Sequence, residues 1–283
     1  VYVPTTILNG FNGKKPRILS IHDIQHKHYP ENFRYFELKS RKFAYDLSVK
    51  YSHSIQASSQ FIKKDIIKHY NFFNKKRIQV IKEGIDLNKF KIKKNFKSKI
   101  RLPKKYLFYP AQMWPHKDHI TVLKAFNKLN KNYNFHLILT GAKLSAYGKI
   151  LKFITSNNLK NRVHILGVVS LNDLINIYSK SFSVISAAKY ESSSLPILEA
   201  ASIGVPIIAA NTKPNLEIQK YLSINFFKVS NSNSLKQSII DIKKNPFRII
   251  KMVKFNKKNI KKFDWKYNAE DLLKYFFYSN NAK

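Results

Sequence analysis

The sequence predicts an α/β protein built on parallel sheets with helices packed on both faces, a doubly wound arrangement. Two observations lead there. From about residue 105 onward, short apolar runs rich in β-branched and aromatic residues alternate with segments of helical periodicity. The runs are also nearly continuous in hydrophobicity, as strands buried on both faces are, where a half-exposed strand would alternate. Taken in order, the predicted strands are 106–112, 135–141, 162–167, 182–187 and 206–211. Helices are predicted between them at 118–130, 146–157, 171–179 and 196–203, with apolar spacings of three and four such as Ile120, Leu123, Phe126 and Leu129. Right-handed crossovers put the ligands of such a sheet at the carboxyl ends of its strands.

The first ninety residues are less regular. Strands are predicted at 17–21, 54–57 and 78–81, with a long helix at about 33–51. No strand leading into a glycine-rich turn precedes Thr5, so this region reads as part of a doubly wound domain whose amino-terminal portion is missing. A lysine-rich linker at 89–105 separates the two regions, and the expected domains are 1–92 and 93–262.

The 283 residues are 44% hydrophobic with 7 Gly and 10 Pro, which excludes a disordered or collagenous chain and suits one or two globular domains. Cysteine is absent, so neither disulfides nor thiolate metal sites are available, and a cytoplasmic setting is expected. No apolar run reaches the roughly 18 residues of a membrane span. The balance of 52 Lys+Arg against 16 Asp+Glu, a formal +36, raises a nucleic-acid or membrane-surface binder as a rival reading. Its make-up argues otherwise: 45 of the basic residues are Lys and only 7 are Arg, the side chain that base readout and tight phosphate clamping favour. The excess of Lys, Asn, Ile, Phe and Tyr is what an A/T-rich genome produces, and no specific nucleic-acid partner is expected. So positive a field would still concentrate phosphorylated substrates and hold the protein peripherally at the anionic inner face of a membrane.

The richest stretch for chemistry is AAKYESSSLPILEAASIGVP, 187–206, at the end of a predicted strand. Pro196 is a good first helical residue, which leaves Glu191 in the loop and Glu199 near the helix start. Amides at that start would accept a diphosphate, and the two carboxylates would take sugar and ribose hydroxyls.

This segment resembles the Glu-x7-Glu motif of the retaining, group 1 family of GT-B glycosyltransferases, also called glycosyltransferase family 4. Leu195, Pro196, Glu199, Ala200, Gly204 and Pro206 match the family pattern, while Ser192, Ser193 and Ser194 replace its middle residues, including its usual glycines. The resemblance implies a GT-B fold of two Rossmann-like domains, the amino-terminal one truncated. It also implies that Glu191 and the backbone at Ser194 and Leu195 approach the donor sugar and that Glu199 takes the ribose hydroxyls.

A second stretch, YPAQMWPHKDH at 109–119, resembles the family's donor-phosphate loop. Lys117 matches the lysine that meets the diphosphate. Gln112 stands where most members have Arg, and is expected to donate a neutral hydrogen bond. The Trp-Pro-His-Lys wording is similar to a polysaccharide mannosyltransferase-like subgroup. A third stretch, ILSIHDIQHKHYPENF at 18–33, resembles the segment whose histidine faces the sugar across the interdomain cleft, which makes His22 the candidate. A zinc cluster of His22, His26 and His28 is the weaker reading, because the spacing gives no helical face; His26 and His28 are expected to be loop residues. ASSQFIKKD at 57–65 and VIKEGID at 80–86 are similar to the family's domain-closing strands and hinge. FDW at 263–265 resembles the start of a terminal helix, 263–283, crossing back to the amino-terminal domain.

A departing diphosphate must be neutralised by a divalent metal or by fixed cationic donors. The chain has no Asp-x-Asp pair, so Lys117 and the helix start at 195–197 are expected to serve, with no catalytic metal and no cofactor beyond the nucleotide-diphosphate sugar as donor substrate. The expected function is transfer of a hexose, with mannose suggested by the subgroup, to a glycan or lipid-linked acceptor with retention, in cell-surface polysaccharide synthesis. Donor binding without turnover is the alternative.

Overall fold

The computed structural model describes residues 1–8, 15–93, 96–129 and 133–281, the last four of these for the backbone alone. Residue 130 of the expected helix, 94 and 95 of the expected linker and 282–283 of the expected terminal segment lie outside the described residues. Backbone contacts divide the chain into two compact units. The first comprises Val1–Gly84, Glu191–Ser193 and Phe263–Lys283; the second comprises Ile85–Tyr190 and Ser194–Lys262. The division after Gly84 comes earlier in the chain than the expected 92/93 boundary.

In the first unit a four-stranded parallel sheet runs in sequence order: β1 (Tyr2–Val3), β2 (Ile18–Ile21), β3 (Ser54–Ala57) and β4 (Ile78–Val80). A strand therefore does precede Thr5, too short for any periodicity to reveal. Every residue of β2 and β3 is buried, as befits central strands, and the one long polar side chain among them, Gln56, is satisfied there by donating to the Ile81 carbonyl at 3.1 Å. The crossovers carry α1 (Gln25–His28), α2 (Tyr35–Lys50) and α3 (Gln60–His69). Ser59 caps α3, its hydroxyl accepting from the Ile62 N–H at 3.2 Å. The terminal helix, Trp265–Asn281, is tied into this unit: Tyr275 donates to the Arg77 carbonyl at 2.7 Å and Asn268 to the Lys82 carbonyl at 2.6 Å.

The second unit holds six parallel strands: β5 (Tyr106–Pro110), β6 (His136–Thr140), β7 (Val163–Gly167), β8 (Ser183–Ser186), β9 (Ile207–Ala210) and β10 (Asn225–Phe227). Each of the first five lies inside the run the sequence predicts. The helices are α4 (His119–Asn127), α5 (Tyr147–Ser156), α6 (Leu171–Lys180), α7 (Leu195–Ile203), α8 (Lys213–Ile218), α9 (Ser232–Lys244) and α10 (Pro246–Asn259). The helix expected from 118 begins at His119, because Asp118 takes a left-handed backbone, φ 53°, between a short 3-10 turn and α4. The strand order is β10-β9-β8-β5-β6-β7. The chain winds outward from β5 to one edge, returns, and winds outward from β8 to the other. That reversal opens a crevice at the carboxyl ends of β5 and β8, where doubly wound sheets take their ligands. Leu107, Leu137, Ile185 and Ile208 have no exposed surface in the core below it, each contributing about 1.5–3 kcal/mol of burial. Among the described residues no helix is long and apolar enough to cross a membrane.

Candidate functional site

The loops after β5 and β8 border the crevice, and they carry most of the residues singled out in the sequence. The loop after β5 is held by backbone bonds: Ala111 N–H to the Thr140 carbonyl at 3.1 Å, and Met113 N–H to the Ala142 carbonyl at 2.9 Å. Gly141 permits this approach. Its φ is 119°, and a Cβ there would stand 2.5 Å from the Ala111 carbonyl oxygen. Gln112 is exposed and its Oε1 accepts from the Trp114 indole N–H at 3.0 Å. The indole can only donate, which fixes the amide oxygen on the indole side and makes the amide nitrogen the donor that Gln112 has to offer. Lys117 closes the 3-10 turn Pro115–Lys117, and its carbonyl accepts from the Tyr109 hydroxyl.

A backbone bond joins the two loops: the Lys189 N–H donates to the His116 carbonyl at 2.8 Å. Lys189 Nζ lies 4.0 Å from Asp118 Oδ1, and the other oxygen of that buried carboxylate accepts from Thr121 at 2.8 Å and Ser230 at 3.0 Å. His116 is held neutral, its pKa pulled down to about 4 chiefly by burial. Burial likewise takes His119, packed on Tyr109, to about 4.

At the start of α7 the structure corrects an expectation. Amides at 195–197 were expected to be open to an anion. Pro196 has no N–H, and the Ile197 N–H bonds the Ser194 carbonyl at 2.9 Å, so Leu195 supplies the one amide of the three still open. The Ser194 hydroxyl does not cap the helix; it pairs with Ser186 Oγ at 2.8 Å at the buried end of β8. Ser194 has no exposed surface, so the expected approach of a ligand to its backbone is not seen in this structure. Leu195 is 38% exposed.

Glu199, one turn into α7, is oriented by a residue that sequence reasoning missed. The fully buried Tyr178 of α6 donates to Glu199 Oε2 at 2.5 Å. Burial raises the Glu199 carboxyl above its ordinary pKa, and the Tyr178 bond works against that rise. Two helices that cross the same face bring the pair together, and no local motif marks it.

His22 and Glu191 belong to the first unit. His22 follows β2, and both its ring nitrogens are engaged: Nδ1 lies 2.7 Å from Glu83 Oε1 and Nε2 lies 2.8 Å from the Pro4 carbonyl. A carbonyl and a carboxylate both accept, so the arrangement suits a doubly protonated imidazolium, and the Glu83 bond, the largest influence, raises the His22 pKa. Burial pushes the Glu83 carboxyl up, but bonds from His22 and from the Ser193 hydroxyl outweigh it and leave it below its ordinary value. No local pattern in the sequence joins Glu83 to His22 or to Ser193, which lie 61 and 110 residues from it. Glu191 is half-buried.

The three histidines of the weaker zinc reading go separate ways. His26 is buried in α1 edge-on to Tyr45, its pKa taken down to about 3 by burial, and His28 bonds Asp65 at 2.5 Å. Both were expected in a loop; they form a short helix because the Tyr29 N–H closes a turn onto the Gln25 carbonyl at 2.8 Å.

The family described as Glycosyl transferases group 1 matches residues 90–263. The O-antigen chain mannosyltransferase RfbU of Salmonella typhimurium is 26% identical over 193 residues, 68% of this chain and 51% of that protein. The O-antigen chain mannosyltransferase B of Escherichia coli is 29% identical over 108 residues, 38% of this chain and 28% of that one. The chain thus spans about half or less of the length of these curated relatives. Among solved structures, Anabaena HepE in complex with UDP and glucose superimposes with a TM-score of 0.76 at 18% identity, covering 92% of this chain and 71% of that one. The sucrose-phosphate synthase of Thermosynechococcus elongatus gives 0.80 at 16%, covering 96% and 70%. These likenesses establish the fold, an α/β fold of the GT-B class.

Proposed function

The chain belongs to the group 1 glycosyl transferases, and on that premise we propose that it moves a hexose from a nucleotide-diphosphate sugar to a glycan or lipid-linked acceptor, with retention, in cell-surface polysaccharide synthesis. Mannose is the sugar we assign, since two relatives bear mannosyltransferase names. The observation that carries the reading is the backbone bond from Lys189 to His116, which holds the loops of Lys117 and α7 side by side at the reversal point of the second sheet.

In this reading the diphosphate meets the Lys117 ammonium, the amide nitrogen of Gln112 and the Leu195 N–H at the positive end of α7. These groups stabilise the charge that develops on the leaving diphosphate, and no step is assigned to a metal. Glu199 accepts the ribose hydroxyls on the carboxylate oxygen that Tyr178 leaves open. Glu191 holds the sugar, and His22, kept cationic by Glu83, positions sugar or acceptor. The enzyme works in the cytoplasm, its positive charge drawing it to the anionic inner face of the membrane.

The test is a panel of nucleotide sugars measured for binding and turnover on the parent, Glu199→Ala and Lys117→Ala. Each variant should bind the best donor at least about tenfold more weakly, the equivalent of one lost charge-assisted hydrogen bond of about 1.5–3 kcal/mol. Parental affinity in both variants would overturn the site. Binding without turnover by the parent would select the alternative, a donor-binding chain.

A further inference from the structure

In the first unit a cluster separate from the donor residues brings two imidazoles and one carboxylate together. Asp65 and His69 stand four apart on α3, a spacing that puts both on one helical face, and His28 reaches them from α1. His28 Nε2 lies 2.5 Å from Asp65 Oδ2, and His69 Nε2 lies 3.7 Å from Asp65 Oδ1. The donor atoms of all three residues fall within 4.8 Å of one another, and the two imidazole rings meet edge-on at 5.5 Å.

We infer that His28, Asp65 and His69 form a binding site for a divalent ion of the zinc class, which pins α1 to α3. Zinc takes nitrogen ligands at about 2.0–2.1 Å and carboxylate oxygen at about 2.0–2.2 Å, so tetrahedral neighbours sit roughly 3.3 Å apart. The separations of 2.5 and 3.7 Å bracket that value, and small side-chain rotations reach it. His69 Nε2 is buried with no hydrogen-bond partner, an orphan that a metal would satisfy. Asp65 is buried, while His28 and His69 keep 28% and 25% of their side-chain surface exposed, which provides an entry path. On binding, the metal takes the place of the proton between His28 and Asp65, and water fills the remaining position. The ligand set lies wholly in the first unit, so the inference stands independently of the donor reading.

The experiment titrates the whole chain, stripped of metal, with Co²⁺ and then displaces it with Zn²⁺. The expected result is one Co²⁺ per chain, with the visible absorption of a four- or five-coordinate nitrogen and oxygen site, lost on adding Zn²⁺. His69→Ala and His28→Gln should each weaken binding by about 100-fold, at or above the upper end of the 10–100-fold that removing a mere outer partner costs. Glutamine at 28 can still donate to Asp65, so that variant keeps the α1–α3 hydrogen bond and should fold. His164→Ala is the control. His164 pairs with His136 at 2.9 Å, a second pair of imidazoles away from the cluster, and its loss should leave Co²⁺ binding unchanged. Absence of Co²⁺ binding, parental affinity in the His69 and His28 variants, or loss in the His164 variant alone would overturn the site.

Discussion

Replacing Tyr178 with phenylalanine isolates a single hydroxyl. The ring is fully buried and packs edge-on against Phe108 at 4.9 Å, a contact that phenylalanine keeps, so the change removes little besides the bond to Glu199. With Glu199 ionised, that bond is worth about 1.5–3 kcal/mol; with it protonated, about 0.5–1.5 kcal/mol. The expected loss of stability is therefore about 2 kcal/mol at pH 7 and about 1 kcal/mol at pH 4. Linkage gives the same sign. The Glu199 carboxyl is raised, so it binds its proton more tightly folded than unfolded, and stability falls as pH rises from the unfolded value through the folded one. Tyr178 opposes that rise, so its removal should steepen the fall. The chain has two tryptophans, and Trp265→Phe leaves Trp114 as a reporter of the second unit. Urea melts followed by Trp114 fluorescence at the two pH values, with the parent in the same background, measure the difference. Equal stability at both pH values, or a cost that grows toward acid, would refute the account of Glu199.

Glu83→Gln should lower the His22 pKa toward its ordinary value, read by NMR titration of the ring. The stability that a raised imidazole contributes is lost as pH rises through its folded pKa, and the Glu83 charge it relies on is lost as pH falls through the lowered Glu83 pKa; the variant should be destabilised in mildly acid solution and little changed in alkali. Gly141→Ala and Gly204→Ala should both lose stability in the same urea melts, by about 1–2 kcal/mol for the left-handed backbone at Gly204, φ 90°. There the added Cβ meets only the mobile end of Lys257, whereas at Gly141 it meets the Ala111 backbone, so Gly141→Ala should also weaken donor binding through the Gln112 loop.

Local chemistry made much of this molecule readable in advance. The unbroken apolar runs of the second unit marked five of its strands, since burial on both faces leaves no polar alternation. Pro196 marked the start of α7, because a ring that sets φ suits a first turn. The two-residue β1 and the start of α4 were not readable. The first is too short to carry a period, and the second depends on a left-handed Asp118 whose carboxylate is held by a local bond from Thr121 and a tertiary one from Ser230. Likewise, Pro196 announced a helix start but not which amides there stay open, a matter decided by the Ile197 bond to the Ser194 carbonyl.

The chemical groups of the candidate site, carboxylates, an ammonium and an imidazole near strand ends, were written in the order of residues along the chain. Their partners were not. Glu83 is 61 residues from His22, Asp65 is 37 from His28, and Tyr178 is 21 from Glu199. Periodicity and turn chemistry act over a few bonds, so they specify strands, helices and the loops between them. Which loop end meets which is settled by parallel crossovers returning the chain to the same edge of a sheet, and that in turn sets the protonation and orientation of the groups the loops carry.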